Sequence, residues 1–268
     1  MSQFKLGADA LGVLSNNGSE GKTLLNNDFA KFGVGTTYKV RCVSAQDVMG
    51  YVGYGIYKKV NTFVAKDPSE RNEKGFVTGN PTAWDKASQY YFDKGREAKE
   101  NGASEKEVKD LWQEAGKYSG KQRFVFGFVD LEAGKEILID LTKQQAQGVH
   151  ATIAKYEKKL GKLAFELTKT NATGLAKDTK VALTPIIDFD EDLTDKEKEN
   201  FAKFNEKEFN AQLFEGLLFE ADEKTQKENL VAAGFDLNLI GLTIDADTGG
   251  NDSDFASNNE VKAEDYPF

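Results

Sequence analysis

The chain holds one cysteine, Cys42, and one histidine, His150. A single cysteine forms no internal disulfide, which fits a reducing cytoplasm. One Cys and one His cannot build a Cys/His zinc site within one chain. They also leave no Ser-His-Asp or Cys-His centre unless His150 itself serves. Proline is scarce, four in 268 residues, and no internal repeat is visible. No apolar run approaches the roughly 20 residues that cross a bilayer, so no membrane segment is expected. The opening Met-Ser-Gln-Phe-Lys-Leu-Gly has no signal-peptide hydrophobic region.

What is present begins with a core. The apolar fraction is 39% and there are 19 Phe, too much for a wholly disordered chain. The length allows one or two domains. Charge is divided along the chain. Residues 1–185 carry 28 Lys and Arg against 22 Asp and Glu, a net of +6; residues 186–268 carry 7 against 22, a net of −15. A basic body suits a polyanion, and an acidic end can compete for the same surface. The plainer reading of the acidic end is a solvated helical surface.

Residues 1–34 read as an N-terminal segment, Gly-, Asn- and Ser-rich at first. Gly21-Lys22-Thr23 invites a phosphate-loop reading, but Asn16 stands where the motif needs its first glycine. From Thr36 the texture becomes that of strands. Tyr38–Val43 alternates, with Tyr38, Val40 and Cys42 on one face and Lys39, Arg41 and Val43 on the other. Tyr51–Val64 is β-branched and aromatic, with Gly53 and Gly55 where a strand bends or bulges. Tyr51, Tyr54, Tyr57, Lys58 and Lys59 interleave rings with cations, the combination a single-stranded nucleic-acid site needs. The same tyrosines also suit a strand with one face in the core.

Asp67–Pro81 reads as a polar loop. Trp84–Lys117 reads as a helical insertion, interrupted at Asn101-Gly102 and restarted by a Ser104/Glu107 capping box. Lys121–Val129 and Glu136–Leu141 resume the sheet, with Phe124, Phe126 and Phe128 on one face. Thr142 caps a helix to about Gly161, which makes His150 structural. Leu163–Lys169 and Lys180–Thr184 are further strands. The fold class is therefore α+β, mainly antiparallel β: an OB-fold-like small barrel over residues 35–190 with a helical insertion at 84–117. Residues 191–243 form an acidic helical region, and 244–268 a disordered acidic tail.

Chemistry-bearing motifs fail. Asp188–Asp192 alternates carboxylates without a turn glycine or closing glutamate. Asp245–Gly250 begins like a calcium loop, but Ala256 stands at the twelfth position. No cofactor, no metal and no catalytic residue is expected. A carboxylate-only, Mg²⁺-dependent nuclease is the weakest alternative.

The terminal Glu264-Asp265-Tyr266-Pro267-Phe268 is similar to the acidic, Pro-Phe-terminated tip of bacterial and phage single-stranded DNA-binding proteins. Tyr118–Asp130, Gly134–Leu141, the helix after them and Leu163–Lys169 resemble the later half of the barrel in the T-even phage helix-destabilising type. The likeness covers residues 35–190 and the tail. That family carries a zinc subdomain where Trp84–Lys117 stands here without ligands, and a basic N-terminal arm where residues 1–30 offer only Lys5 and Lys22.

The resemblance implies a non-catalytic protein of the infected bacterial cytoplasm. It would coat single-stranded DNA in replication, recombination and repair, and recruit enzymes through its tail. The candidate phosphate contacts are Lys39, Arg41, Lys58, Lys59, Lys121 and Arg123. Tyr51, Tyr54, Tyr57 and Phe124 are the candidate stacking rings. The competing expectation is an acidic scaffold or DNA-mimic protein with no nucleic-acid groove.

Overall fold

The strand Lys121–Asp130 sets the architecture. Successive side chains of a strand point to opposite faces. Phe124, Phe126 and Phe128 therefore share one side, and Arg123 and Val125 the other. In the computed structural model, which describes residues 5–6, 29–175, 178–205 and 207–244, this strand is β7. Before it come β1 (Lys5–Leu6), β2 (Thr37–Arg41), β3 (Val48–Ile56), β4 (Val60–Ala65), β5 (Glu70–Arg71) and β6 (Val77–Gly79). After it come β8 (Lys135–Thr142), β9 (Phe165–Asn171), β10 (Thr179–Pro185) and β11 (Glu220–Ala221). The helices are α1 (Ala83–Glu100), α2 (Glu105–Tyr118), α3 (Lys143–Tyr156), α4 (Phe189–Asp192), α5 (Asp195–Lys203) and α6 (Glu223–Ala233).

One large sheet runs β10-β9-β2-β7-β3-β4-β11, with β8 on the other edge of β7 and β1 on β3. Its pairings are antiparallel except β11 with β4. Among the described strands the sheet does not close into a barrel. The segment 29–36 bridges the open side. Ala30 N donates to Leu138 O on β8 (3.0 Å), Gly35 N to Lys169 O on β9 (2.8 Å), and Lys169 N to Thr36 O (3.0 Å).

The inner face buries the three β7 phenylalanines with Ile137, Ile139 and Leu141 of β8, Val40 and Cys42, Phe165 and Leu167. Helix α3 caps this core through Ala146, Val149 and Ile153. The expected helix to Gly161 ends earlier as α-helix, and Glu157–Lys162 continues as a 3₁₀ turn. Helices α1 and α2 pack on the far end of β3 and β4. There Trp84, fully buried, meets Tyr54, Phe63 and Tyr118 edge-on or tilted. Capping boxes start four helices, at Thr82/Asp85, Ser104/Glu107, Thr142/Gln145 and Thr194/Glu197, each closing two orphan donors.

The polar stretch 67–81 contains the small β5–β6 hairpin. The bulge falls at Gly55, whose φ of +147° and 3.0 Å approach to Asn61 O leave no room for a side chain.

The acidic region after Pro185 shares the core. Phe209, Phe214 and Leu217 lie across the outer face of the sheet on Met49, Tyr51, Val125 and Leu138. Phe209 sits directly over Gly127, where a methyl group would collide with its ring. Leu193 and Phe201 pack against Val129 and Leu131, and Leu230, Phe235 and Leu237 complete the cluster around Trp84.

Near the start of β3, burial first, and then Glu136 and Glu208, push the Asp47 carboxyl up to about 6. A carboxyl with a raised folded-state value binds its proton more tightly when folded. Its contribution therefore falls as pH rises from about 4 to 6. Asp47→Asn, which retains an acceptor for Ser44 N, should add about 1 kcal/mol at pH 7, discounted for partial exposure, and nothing below pH 4. Urea denaturation of both proteins at pH 4, 5 and 7 measures the difference. Equal gains at all three values would refute it.

Candidate nucleic-acid interface

The expected DNA-binding residues divide sharply. Phe124 is 1% exposed in the inner core. It offers no ring face to a base, so its assignment as a stacking residue is corrected. Tyr51 and Tyr54 are also interior. Tyr51 Oη donates to Asp140 Oδ2 at 3.1 Å, and Tyr54 Oη to Asp85 Oδ2 at 3.0 Å. Burial first, then the nearby carboxylate, raises both phenols above their ordinary value.

Arg123 is buried against Asp140, with Nε 3.1 Å from both carboxylate oxygens and Nη2 3.0 Å from Oδ2. Burial opposes its charge, but Asp140 and Tyr51 outweigh that and raise the guanidinium. Arg41 is likewise interior. Its Nη1 donates to Phe201 O (2.6 Å) and Asn205 Oδ1 (2.7 Å), and its guanidinium lies 4.2 Å over the Phe201 ring. Both arginines serve the fold, because alternation put them on a second face that the acidic region covers. Neither contacts phosphate as placed, and that expectation too is corrected.

The remaining candidates are at the surface. Lys39 is half-buried, bonded to Asp192 O (2.6 Å) and Glu197 Oε2 (3.1 Å). The depression beside it, about 470 Å³, is lined by Glu166 and Asp192 as well, so it carries both signs. Tyr57, Lys58 and Lys59 form the exposed β3–β4 turn. Lys58 adopts φ +62° and lies 5.4 Å over the Tyr57 ring, and Lys59 Nζ donates to Ala233 O at the end of α6. The tip Glu264–Phe268 and the calcium-like stretch lie outside the described residues, as does Gly21-Lys22-Thr23.

Lys121 leads to a group of residues that sequence reasoning did not assemble. It opens β7 in register with Gly53, which has no side chain to crowd it. The next residue, Gln122, accepts a hydrogen bond at Oε1 from Lys143 Nζ (3.1 Å). Lys143 is the first residue of α3 and only 1% exposed. Burial lowers both lysines below their ordinary value. Among the described residues neither forms an ion pair with an acid.

The β5–β6 loop lies against the same amide: a methyl group built on Gly75 would stand 3.4 Å from Gln122 Nε2. Lys121, one residue before Gln122 in β7, projects from the opposite face of the sheet, whereas Lys143, almost wholly buried, rests on that neutral amide with no acid paired to it among the described residues. Such a place is costly to leave empty of negative charge. Lys143 was missed because a lysine in the first turn of a helix reads as solvent-facing. Only the burial of its neighbours reveals otherwise.

Elsewhere the described residues bring together no group of three or more His, Cys, Asp or Glu that could hold a metal. No helix among them is long and apolar enough to cross a membrane. Comparison of the chain with models of known protein families, with curated proteins and with solved structures returned no match.

Proposed function

We propose that this protein binds single-stranded DNA without sequence preference and without catalysis, in phage replication, recombination and repair. The observation that carries this reading is the exposed β3–β4 turn, where Tyr57, Lys58 and Lys59 set a ring beside cations on a body of net positive charge. A nucleic-acid strand is the ligand such a patch fits, since its bases stack on the ring and its phosphates accept hydrogen bonds from the amines.

The mixed sheet supports an OB-type barrel left open at one seam. The long β7 serves β2 and β3 on one edge and β8 on the other, and one helix follows β8 across the core. Lys121, half-buried at the start of β7, adds a further cation. The acidic tail, residues 245–268, is proposed to compete for the basic surface and, once displaced by DNA, to offer Tyr266-Pro267-Phe268 to replication proteins.

The test is fluorescence anisotropy of a labelled dT oligonucleotide at low and moderate salt, without metal, on the full chain and on one ending at residue 244. Tight binding that salt weakens and duplex DNA does not match supports the proposal, as does tighter binding on tail removal. No binding by either chain at low salt overturns it in favour of an acidic interaction protein. For a lysine that meets a phosphate, Lys121→Ala should reduce the slope of log affinity against log salt by about 0.7. An unchanged slope would remove Lys121 from the interface.

A further inference from the structure

The most exposed aromatic ring among the described residues is not one of the tyrosines of β3. It is Phe76, 67% exposed, in the β5–β6 hairpin. A phenylalanine left in water forgoes a large burial gain, and a ring on a loose loop would fold down to recover it.

This loop is not loose. Asn72 Oδ1 accepts from Lys74 N (3.1 Å) and Phe76 N (3.0 Å). Asn72 N donates to Phe76 O, and Gly75 N to Asn72 O, both at 2.9 Å. Gly75 holds φ +89°, which favours glycine. Arg71 Nη1 donates to Gly75 O (3.0 Å), while its Nη2 is held by Asp85 Oδ1 (2.5 Å) and Tyr54 Oη (3.0 Å). The hairpin is thus fastened to β3 and to the start of α1, and Phe76 is held outward by a rigid support.

Gly75 rests on Gln122, and Phe76 is one residue further, about 3.8 Å along the chain. The ring is therefore rooted beside Gln122, the amide that receives Lys143.

We infer that Phe76 is the platform on which an unpaired DNA base stacks. This rests on the single-strand reading above and deepens it by naming where a base is held. The loop contributes one acid, Glu73, and one further cation, Lys74, both exposed. Stacking on a pre-held ring is indifferent to base identity, because every base has a π-face. It also loses little freedom on binding, because the loop is already ordered.

The experiment compares the full-length protein with Phe76→Ala and Phe76→Trp, against a labelled dT oligonucleotide and an abasic strand of equal length and charge. Phe76→Ala should weaken dT binding by about 5- to 100-fold and leave abasic binding and melting temperature unchanged. Phe76→Trp should restore dT affinity and show tryptophan quenching on binding beyond that of the parent protein. Wild-type dT affinity in Phe76→Ala, with the parent binding normally, overturns the inference alone. So does an equal loss on dT and abasic strands, which would give the ring no contact with bases. Failure of the parent protein to bind dT at all sinks the single-strand reading itself.

Discussion

Phe124→Ala should destabilise the protein by about 3–5 kcal/mol, the range for removing a large buried ring from a packed interior. At roughly 2–4 °C per kcal/mol for a chain of this size, the melting temperature should fall by about 10 °C. Phe124 is 1% exposed among Val48, Phe126, Leu141 and other members of the core under α3, and little around it is free to collapse into the space. At 10 °C, where the variant remains folded, its affinity for dT should match that of the parent. Thermal melting and anisotropy on one preparation check both halves. A variant that melts normally but loses DNA would return Phe124 to the interface and contradict the packing.

The second large effect is at Asp140. Its carboxylate receives Arg123 and Tyr51, and the two ionised side chains are 1% and 6% exposed. Asp140→Ala strands a guanidinium inside the protein and should cost about 3–5 kcal/mol. The pair as a whole contributes far less, because withdrawing two charges from water offsets most of their attraction. Arg123→Met with Asp140→Leu should therefore recover most of the loss. Urea denaturation of the single and double variants measures this. A double variant as unstable as Asp140→Ala would show that the network does more than hold its own charges.

Both positions show how much of the molecule was legible in the sequence. Alternation along Lys121–Val129 placed Phe124, Phe126 and Phe128 on one face, and that holds. Alternation separates two faces but does not say which is covered. Here both are: one by α3, the other by Phe209, Phe214 and Leu217, more than 80 residues away in sequence. Arg123 and Tyr51 were read as outward because a cation on the face opposite three phenylalanines usually meets water. Asp140, which neutralises that cation, stands on the next strand, and register is not printed in composition.

Local signals fared better. The Ser104/Glu107 box, the Thr142 cap and the bulge at Gly55 each depend on residues within a few positions of one another. Phe76 escaped notice because it is a single ring in a polar stretch with no period to mark it. The available clue was its place after Gly75 and four residues past Asn72, the chemistry of a tight turn.

The strap of Phe209, Phe214 and Leu217 also governs the order in which the protein can be made. Strands β3, β7 and β8 are all synthesised before residue 143, yet their outer face stays bare until residue 217 has left the ribosome. The cluster around Trp84 waits longer, for Leu230, Phe235 and Leu237. During that interval the nascent chain shows Met49, Tyr51, Val125 and Leu138 to the cell as a sticky sheet. The acidic region is thus the last stitch of the fold as well as its charge counterweight. A chain cut at Pro185 would be born unfinished, and aggregation would be its expected fate.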